Sequence, residues 1–164
     1  MWLHELGVMK MRKYKYYVAY GSNLNKQQMM MRCPTAKAVG KGYIKGYELL
    51  FKGSKTGAYL TIEEKKGSKV PVGIWKVTKE DELALDRYEG YPTFYYKADL
   101  KIKLEDKEID AFVYIMHEYR EIGVPSDYYV ETCLRGYSDF EFDPVYLQKA
   151  LDISKEQDTN NTNK

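Results

Sequence analysis

Along the chain the apolar and polar positions change period several times, and each change marks an element. Residues 14–19 form a β-rich run that breaks at Tyr20-Gly21-Ser22-Asn23, and the Lys, Gln and Met of residues 24–32 favour a helix. Strand, tight loop and helix are expected in that order, with Cys33-Pro34 as the stop. Three β-like runs follow at 37–50, 58–63 and 70–77, the first broken by Gly40, Gly42 and Gly46, with Gly57 and Gly67 as turn residues between runs. Thr78 is placed to cap a helix over 79–88, with Glu80 and Asp81 in its positive first turn and Gly90 and Pro92 closing it.

The cleanest alternation lies in 94–104. Tyr96, Ala98, Leu100, Ile102 and Leu104 interleave with Lys97, Asp99, Lys101 and Lys103, the period of two of a half-buried strand. Glu105-Asp106-Lys107 turns this strand into a second one at 109–116, a hairpin. Ser126 then caps a helix whose Val130, Cys133, Leu134 and Tyr137 recur at i, i+3, i+4 and i+7, predicting one apolar face. A last helix is expected near 144–153, and the polar residues 154–164 read as a flexible tail. Strands outnumber helices and no alternating βαβ series appears. The fold class expected is α+β, a mixed or antiparallel sheet curled into a small β-barrel with flanking helices, over one domain at 14–153.

The 164 residues are enough for one domain with a real core, and 44% hydrophobic with 30% charged residues excludes a disordered chain. No run approaches the roughly 18 apolar residues of a spanning helix. A net charge of +2 is too small to imply nucleic-acid or membrane binding by charge alone, so neither partner is expected. Cys33 and Cys133 have no ligand spacing and read as buried, reduced thiols, while residues 1–13 lack the pattern of a secretory signal. A cytoplasmic protein is expected, with residues 1–13 as an extension in which Trp2, Leu3 and Leu6 are free to pack or not. Oligomeric state is left open. The composition departs from the ordinary in its 17 tyrosines, which suit strands that pack on one side and line a polar cavity on the other, or a surface on which nucleobases stack.

Three segments are candidates for chemistry. The Tyr20-Gly21-Ser22-Asn23 turn puts Gly and free N–H groups where a carboxylate of a substrate would bind, although Ser22 or Asn23 as a simple helix cap explains the same four residues. In the second segment Leu85 precedes Glu89 by four positions, so a helix that reaches Glu89 carries its carboxyl on the inward stripe. Burial and the negative helix end would then raise its pKa toward the range of a general base; a chain that has already turned would leave it exposed or paired with Lys. Glu80, Asp81 and Glu82 read as a solvated first turn. The third segment offers hydroxyls of Tyr114 and Tyr129 that converge if strand and helix meet, with core packing as the alternative. His4 and His117 are too isolated for a metal site, which leaves metal-free acid–base chemistry and no implied cofactor.

Four pieces in order, YYVAYGSNL at 16–24, VGIWKV at 72–77, LDRYEGYPTFYYK at 85–97, and VYIM with VPSDYY between 113 and 129, resemble the γ-glutamylcyclotransferase family with its AIG2-like branches. The resemblance covers about residues 14–140. It implies a small β-barrel with flanking helices and a cavity for a γ-glutamyl small molecule. It also implies Glu89 as proton acceptor. Tyr17, Val18, Ala19, Tyr20, Gly21 and Ser22 would contact the substrate, largely through backbone, with Asn23 supporting the loop. Tyr114 and Tyr129 match substrate-contacting tyrosines. The chain departs from many relatives in Lys97, where they carry Arg, and in its N-terminal extension. The reaction implied is intramolecular attack of the α-amino group on the γ-carbonyl, giving 5-oxoproline and an amine or amino acid. A binding protein that keeps the cavity without turnover, and a tyrosine-rich binder of single-stranded RNA, are the rival readings.

Overall fold

The computed structural model describes residues 14–54 and 57–162, so the expectations for 1–13, including Trp2, Leu3, His4 and Leu6, lie outside the described residues. In chain order the elements are β1 (Tyr14–Ala19), a 3-10 turn (Ser22–Leu24), α1 (Lys26–Arg32), β2 (Lys37–Ser54), β3 (Gly57–Thr78), α2 (Lys79–Glu89), β4 (Tyr95–Leu104), β5 (Lys107–Met116), the short β6 (Glu121–Ile122), α3 (Asp127–Asp139) and α4 (Val145–Thr162). The strands make one sheet in the order β4-β5-β1-β3-β2-β6. It is mixed, because β1 runs parallel to β5 at Tyr17 and Phe112 while the other pairs are antiparallel.

The sheet is not closed by a ladder, yet it curls until its ends touch through side chains. A Cβ added to Gly40 of β2 would lie 2.4 Å from Leu104 Cδ1 of β4, and one on Gly42 would meet Ile102 at 3.4 Å. At the other end Tyr95 donates to the Leu60 carbonyl (2.8 Å), and Met116 N–H donates to Thr61 Oγ1 (3.0 Å). Glycine in β2 thus serves close approach rather than strand breaking. The three runs expected between 37 and 77 are two long strands. Gly46 and Gly67, both at positive φ, mark an irregularity where the register passes from Lys45–Lys69 to Tyr47–Glu64 without ending either strand.

Helix α2 is closed at both ends by its own sequence. Thr78 accepts from Asp81 N–H while the Asp81 carboxylate accepts from Thr78 N–H, a reciprocal capping box, and Gly90 ends the helix in the left-handed region at φ 62°. Asp81 is therefore buried, not part of a solvated turn; Glu82 is also engaged, with Lys15 and Lys97. In α3 Ser126 caps as expected, accepting from Tyr129 N–H. Its inward face, however, is Thr132, Cys133, Gly136 and Tyr137, and Leu134 is 41% exposed. The cause is Gly136: a Cβ there would come within 2.6 Å of Asn25 N and Leu24 Cβ, so the helix is rotated to lay its bare backbone on that loop. Residues 154–162, expected to be loose, continue α4 through Thr162, with Ser154 buried and the following side chains to residue 160 exposed. Cys33 and Cys133 are buried free thiols. Among the described residues no helix is long and apolar enough to cross a membrane.

The contact at Gly136 gives a test. Gly136→Ala drives a methyl group into the backbone of Leu24 and Asn25, and overpacking of that kind costs about 1–3 kcal/mol. Chemical denaturation is expected to show a lower midpoint with an unchanged slope. A variant as stable as the parent would mean that α3 is not seated on Leu24 and Asn25.

Candidate active site

A cavity of about 580 Å³ opens where the end of β1, the 3-10 turn, the end of α2 and the start of α3 converge. Eight of the 17 tyrosines line it, so the tyrosine excess is spent on a cavity wall. The sequence candidates Tyr17, Tyr20, Gly21, Ser22, Asn23, Glu89, Tyr114 and Tyr129 all reach this wall. Val18 and Ala19 do not. They pair with Ile74 and Gly73 in the sheet and their side chains are buried in the core, because consecutive strand residues between Tyr17 and Tyr20 cannot all face one hollow.

The turn after β1 is fixed from behind. Trp75 Nε1 donates to the Asn23 carbonyl at 3.1 Å, and the α1 N-cap is Asn25, which accepts from Gln28 N–H at 3.0 Å. Ser22 and Asn23 are thus released from capping. Ser22 Oγ lies 2.8 Å from Tyr88 Oη. The Asn23 amide is used on both sides: Nδ2 donates to Tyr17 Oη at 2.9 Å and points to Glu89 Oε1 at 3.5 Å, and Oδ1 accepts from Arg32. Glycine at 21 keeps this corner open: a Cβ there would stand 3.3 Å from Tyr129 Oη and 3.4 Å from Leu60 Cβ, and both would have to give way by a few tenths of an ångström.

Glu89 is the last residue of α2, so the helix does reach it. Glu89 is half-buried on the cavity wall among aromatic residues, and the desolvation of its carboxyl there raises its pKa from the ordinary carboxylate value to about 8, against an opposing pull from Arg32. The negative helix end acts in the same sense as burial. Arg32 is kept from a direct ion pair: it bonds Asn23, donates to Gln28 Oε1 at 3.3 Å, and stacks its guanidinium 3.4 Å above the Tyr88 ring. The result is a proton-exchanging group poised near neutrality.

The opposite wall is equally ordered. Tyr129 Oη accepts from Leu60 N–H (3.1 Å), while the Leu60 carbonyl accepts from Tyr95. Tyr20 donates to the Tyr114 carbonyl (2.6 Å), and Tyr114 itself donates to Asp86 Oδ1 (2.6 Å). Sequence reasoning missed Arg32, Asp86, Tyr88 and Tyr95. Asp86 and Tyr88 sit inside the very segment that carries Glu89, three and one positions before it, and that spacing was the available signal; Arg32 had none. Among the described residues no group of three His, Cys, Asp or Glu side chains is arranged to hold a metal.

Fold and site together define a class: a curled α+β sheet enclosing a tyrosine-walled cavity with one buried carboxyl. Residues 17–131 match the family described as Gamma-glutamyl cyclotransferase, AIG2-like. The chain is 30% identical over 142 residues to Gamma-glutamylcyclotransferase of Homo sapiens, covering 81% of this chain and 75% of that protein. For Gamma-glutamylcyclotransferase of Bos taurus the identity is 29% over 151 residues, covering 87% and 79%. A solved Gamma-glutamyl cyclotransferase structure superposes with a TM-score of 0.75 at 26% identity, over 84% of this chain and 86% of that one. The chain belongs to the γ-glutamylcyclotransferase, AIG2-like family and is an enzyme of that kind.

The raised pKa of Glu89 has a stability signature. An unfolded carboxyl ionises near pH 4.3, whereas the folded one holds its proton to about pH 8, so folding binds a proton between these values and stability falls as pH rises through them. Glu89→Gln removes this loss. Its melting temperature should equal the parent's near pH 4, exceed it increasingly up to pH 8, and hold a constant lead above that. A pH-independent difference in thermal unfolding would show that Glu89 is solvated.

Proposed function

We propose that the enzyme converts a γ-glutamyl amide to 5-oxoproline and a free amine, with Glu89 as the general base. The observation that carries this reading is the buried Glu89 carboxyl facing the Tyr20-Gly21-Ser22-Asn23 turn across one cavity. A γ-glutamyl group carries its own nucleophile. Folded so that its α-amino nitrogen approaches the γ-carbonyl, it closes a five-membered ring, a geometry with a very large intramolecular advantage. The protein's tasks are then to hold that fold and to move protons.

The α-carboxylate is received by the N–H groups of the turn and by Ser22, and the α-ammonium is directed to Glu89. The pKa of about 8 is close to that of an α-amino group, roughly 8 in model peptides, so the proton passes between them with little free-energy change. The freed amine attacks the γ-carbon and forms the ring C–N bond. Glu89 returns that proton to the departing nitrogen as the original amide bond breaks, and the second proton shed by the attacking nitrogen passes through the same carboxylate to the freed amine, which leaves as an ammonium with the carboxylate as it began. Negative charge developing on the γ-oxygen meets donors from the backbone of the turn and from Tyr129, which face each other across Gly21.

Release of 5-oxoproline from a set of γ-glutamyl amides is the direct test. Turnover is expected for at least one amide, and Glu89→Gln is expected to reduce kcat by a factor of at least about 1,000 with the fold intact, within the range of general acid–base contributions. The kcat/KM of the parent should rise with pH and level off near pH 8, as the free carboxyl loses its proton. Undiminished turnover in Glu89→Gln would remove the carboxyl from the reaction.

A further inference from the structure

The wall behind Tyr114 contains an ion-pair chain that the reaction as described does not use. Lys97 Nζ of β4 lies 3.0 Å from Asp86 Oδ1 and 2.8 Å from Glu82 Oε2, and Glu82 in turn pairs with Lys15 of β1 at 3.0 Å. Lys97 is further confined by the Tyr91 ring, 4.4 Å away. Lys97 donates to both oxygens of Asp86, so the carboxyl serves as an acceptor on this side of the wall. Its contact with Tyr114 at 2.6 Å therefore has one possible polarity: Tyr114 donates and Asp86 accepts.

A phenol has one proton, and Tyr114 has committed its own to the outside of the cavity. Tyr114 lines the cavity together with Glu89, and a ligand group that reaches its oxygen from there meets only lone pairs. An oxygen of that polarity receives an N–H of a cation and rejects an anion or another acceptor. We propose that Asp86 and Lys97 are positioning residues that lock the Tyr114 hydroxyl as an acceptor, and that this lock selects ligands bearing a free α-ammonium. Rotated the other way, the hydroxyl would donate into the cavity and hold the ammonium poorly. Lys97 supplies the positive charge that the lock requires. The inference rests on the γ-glutamyl reading of the site.

Ligand binding, not turnover, separates the two. The probes are a non-cleavable ketomethylene isostere of a γ-glutamyl dipeptide and its des-amino counterpart, in which hydrogen replaces the ammonium; the readout is the ratio of their Kd values. The parent should favour the ammonium form. Asp86→Asn, whose amide can donate to Tyr114 and turn its hydroxyl round, should shrink that preference on the order of tenfold, as expected for a hydrogen bond to a charged group. In a Tyr114→Phe background the same substitution should change the ratio no further. Should Asp86→Asn fold poorly, Lys97→Met is expected to shrink the preference and Lys97→Arg to retain it. A folded Asp86→Asn or Lys97→Met with the parent's ratio, or an undiminished effect in Tyr114→Phe, overturns the lock. Failure of the parent to bind the ammonium probe overturns the γ-glutamyl reading and the lock with it.

Discussion

The whole arrangement depends on taking one carboxyl group out of water without giving it a counter-ion. Desolvation disfavours the charged form of Glu89, and the fold accepts that penalty because the group is then able to exchange a proton near neutral pH. To place it there, α2 must end on Glu89 and nowhere else. The reciprocal cap between Thr78 and Asp81 sets where the helix begins, and Gly90 sets where it stops. One residue more or fewer would rotate the carboxyl by about 100° around the helix and off the cavity wall.

Tyrosine is the natural building material around such a group. Its ring excludes water as a phenylalanine would, and its hydroxyl brings hydrogen-bonding capacity without charge. The polarity of these hydroxyls is set by partners outside the cavity. Leu60 serves two of them at once, its N–H to Tyr129 and its carbonyl from Tyr95, and the Tyr114 carbonyl orients Tyr20. Because β3 supplies Leu60 and β5 supplies Tyr114, the curl of the sheet is what brings these partners together. The glycines of β2 that permit β4 to close over it thus act on the site from a distance.

Much of this was legible in the chain and some was not, for identifiable reasons. The α2 boundaries, the Ser126 cap and the hairpin at Glu105-Asp106 rest on local chemistry, and local chemistry is visible in sequence. Glu89 and Tyr114 were readable as candidates because each sits in an unusual local setting. A contiguous motif takes in Val18 and Ala19, whereas a strand shows alternate faces, so their side chains belong to the core. Spacing puts Leu134 on the apolar face, but the rotation of α3 is decided by Gly136 against Leu24 and Asn25, a contact across more than 100 residues. Ser22 meeting Tyr88, and Asp86 meeting Tyr114, are long-range pairs of the same kind.

The treatment of Arg32 shows how closely the electrostatics are controlled. It is the cation whose pull opposes the burial of Glu89, and a direct pair between them would return the carboxyl to an ordinary low pKa. Instead its guanidinium is occupied by Asn23, Gln28 and the face of Tyr88. Asn23 stands between the two charges, receiving from the arginine through its oxygen and presenting its nitrogen to the carboxylate. A neutral amide thereby passes on a dipole in place of a full charge. That substitution keeps Glu89 hydrogen-bonded in either protonation state while leaving its proton exchangeable, and it explains why this turn requires asparagine, for aspartate at 23 would pair with Arg32 and repel the carboxyl it faces.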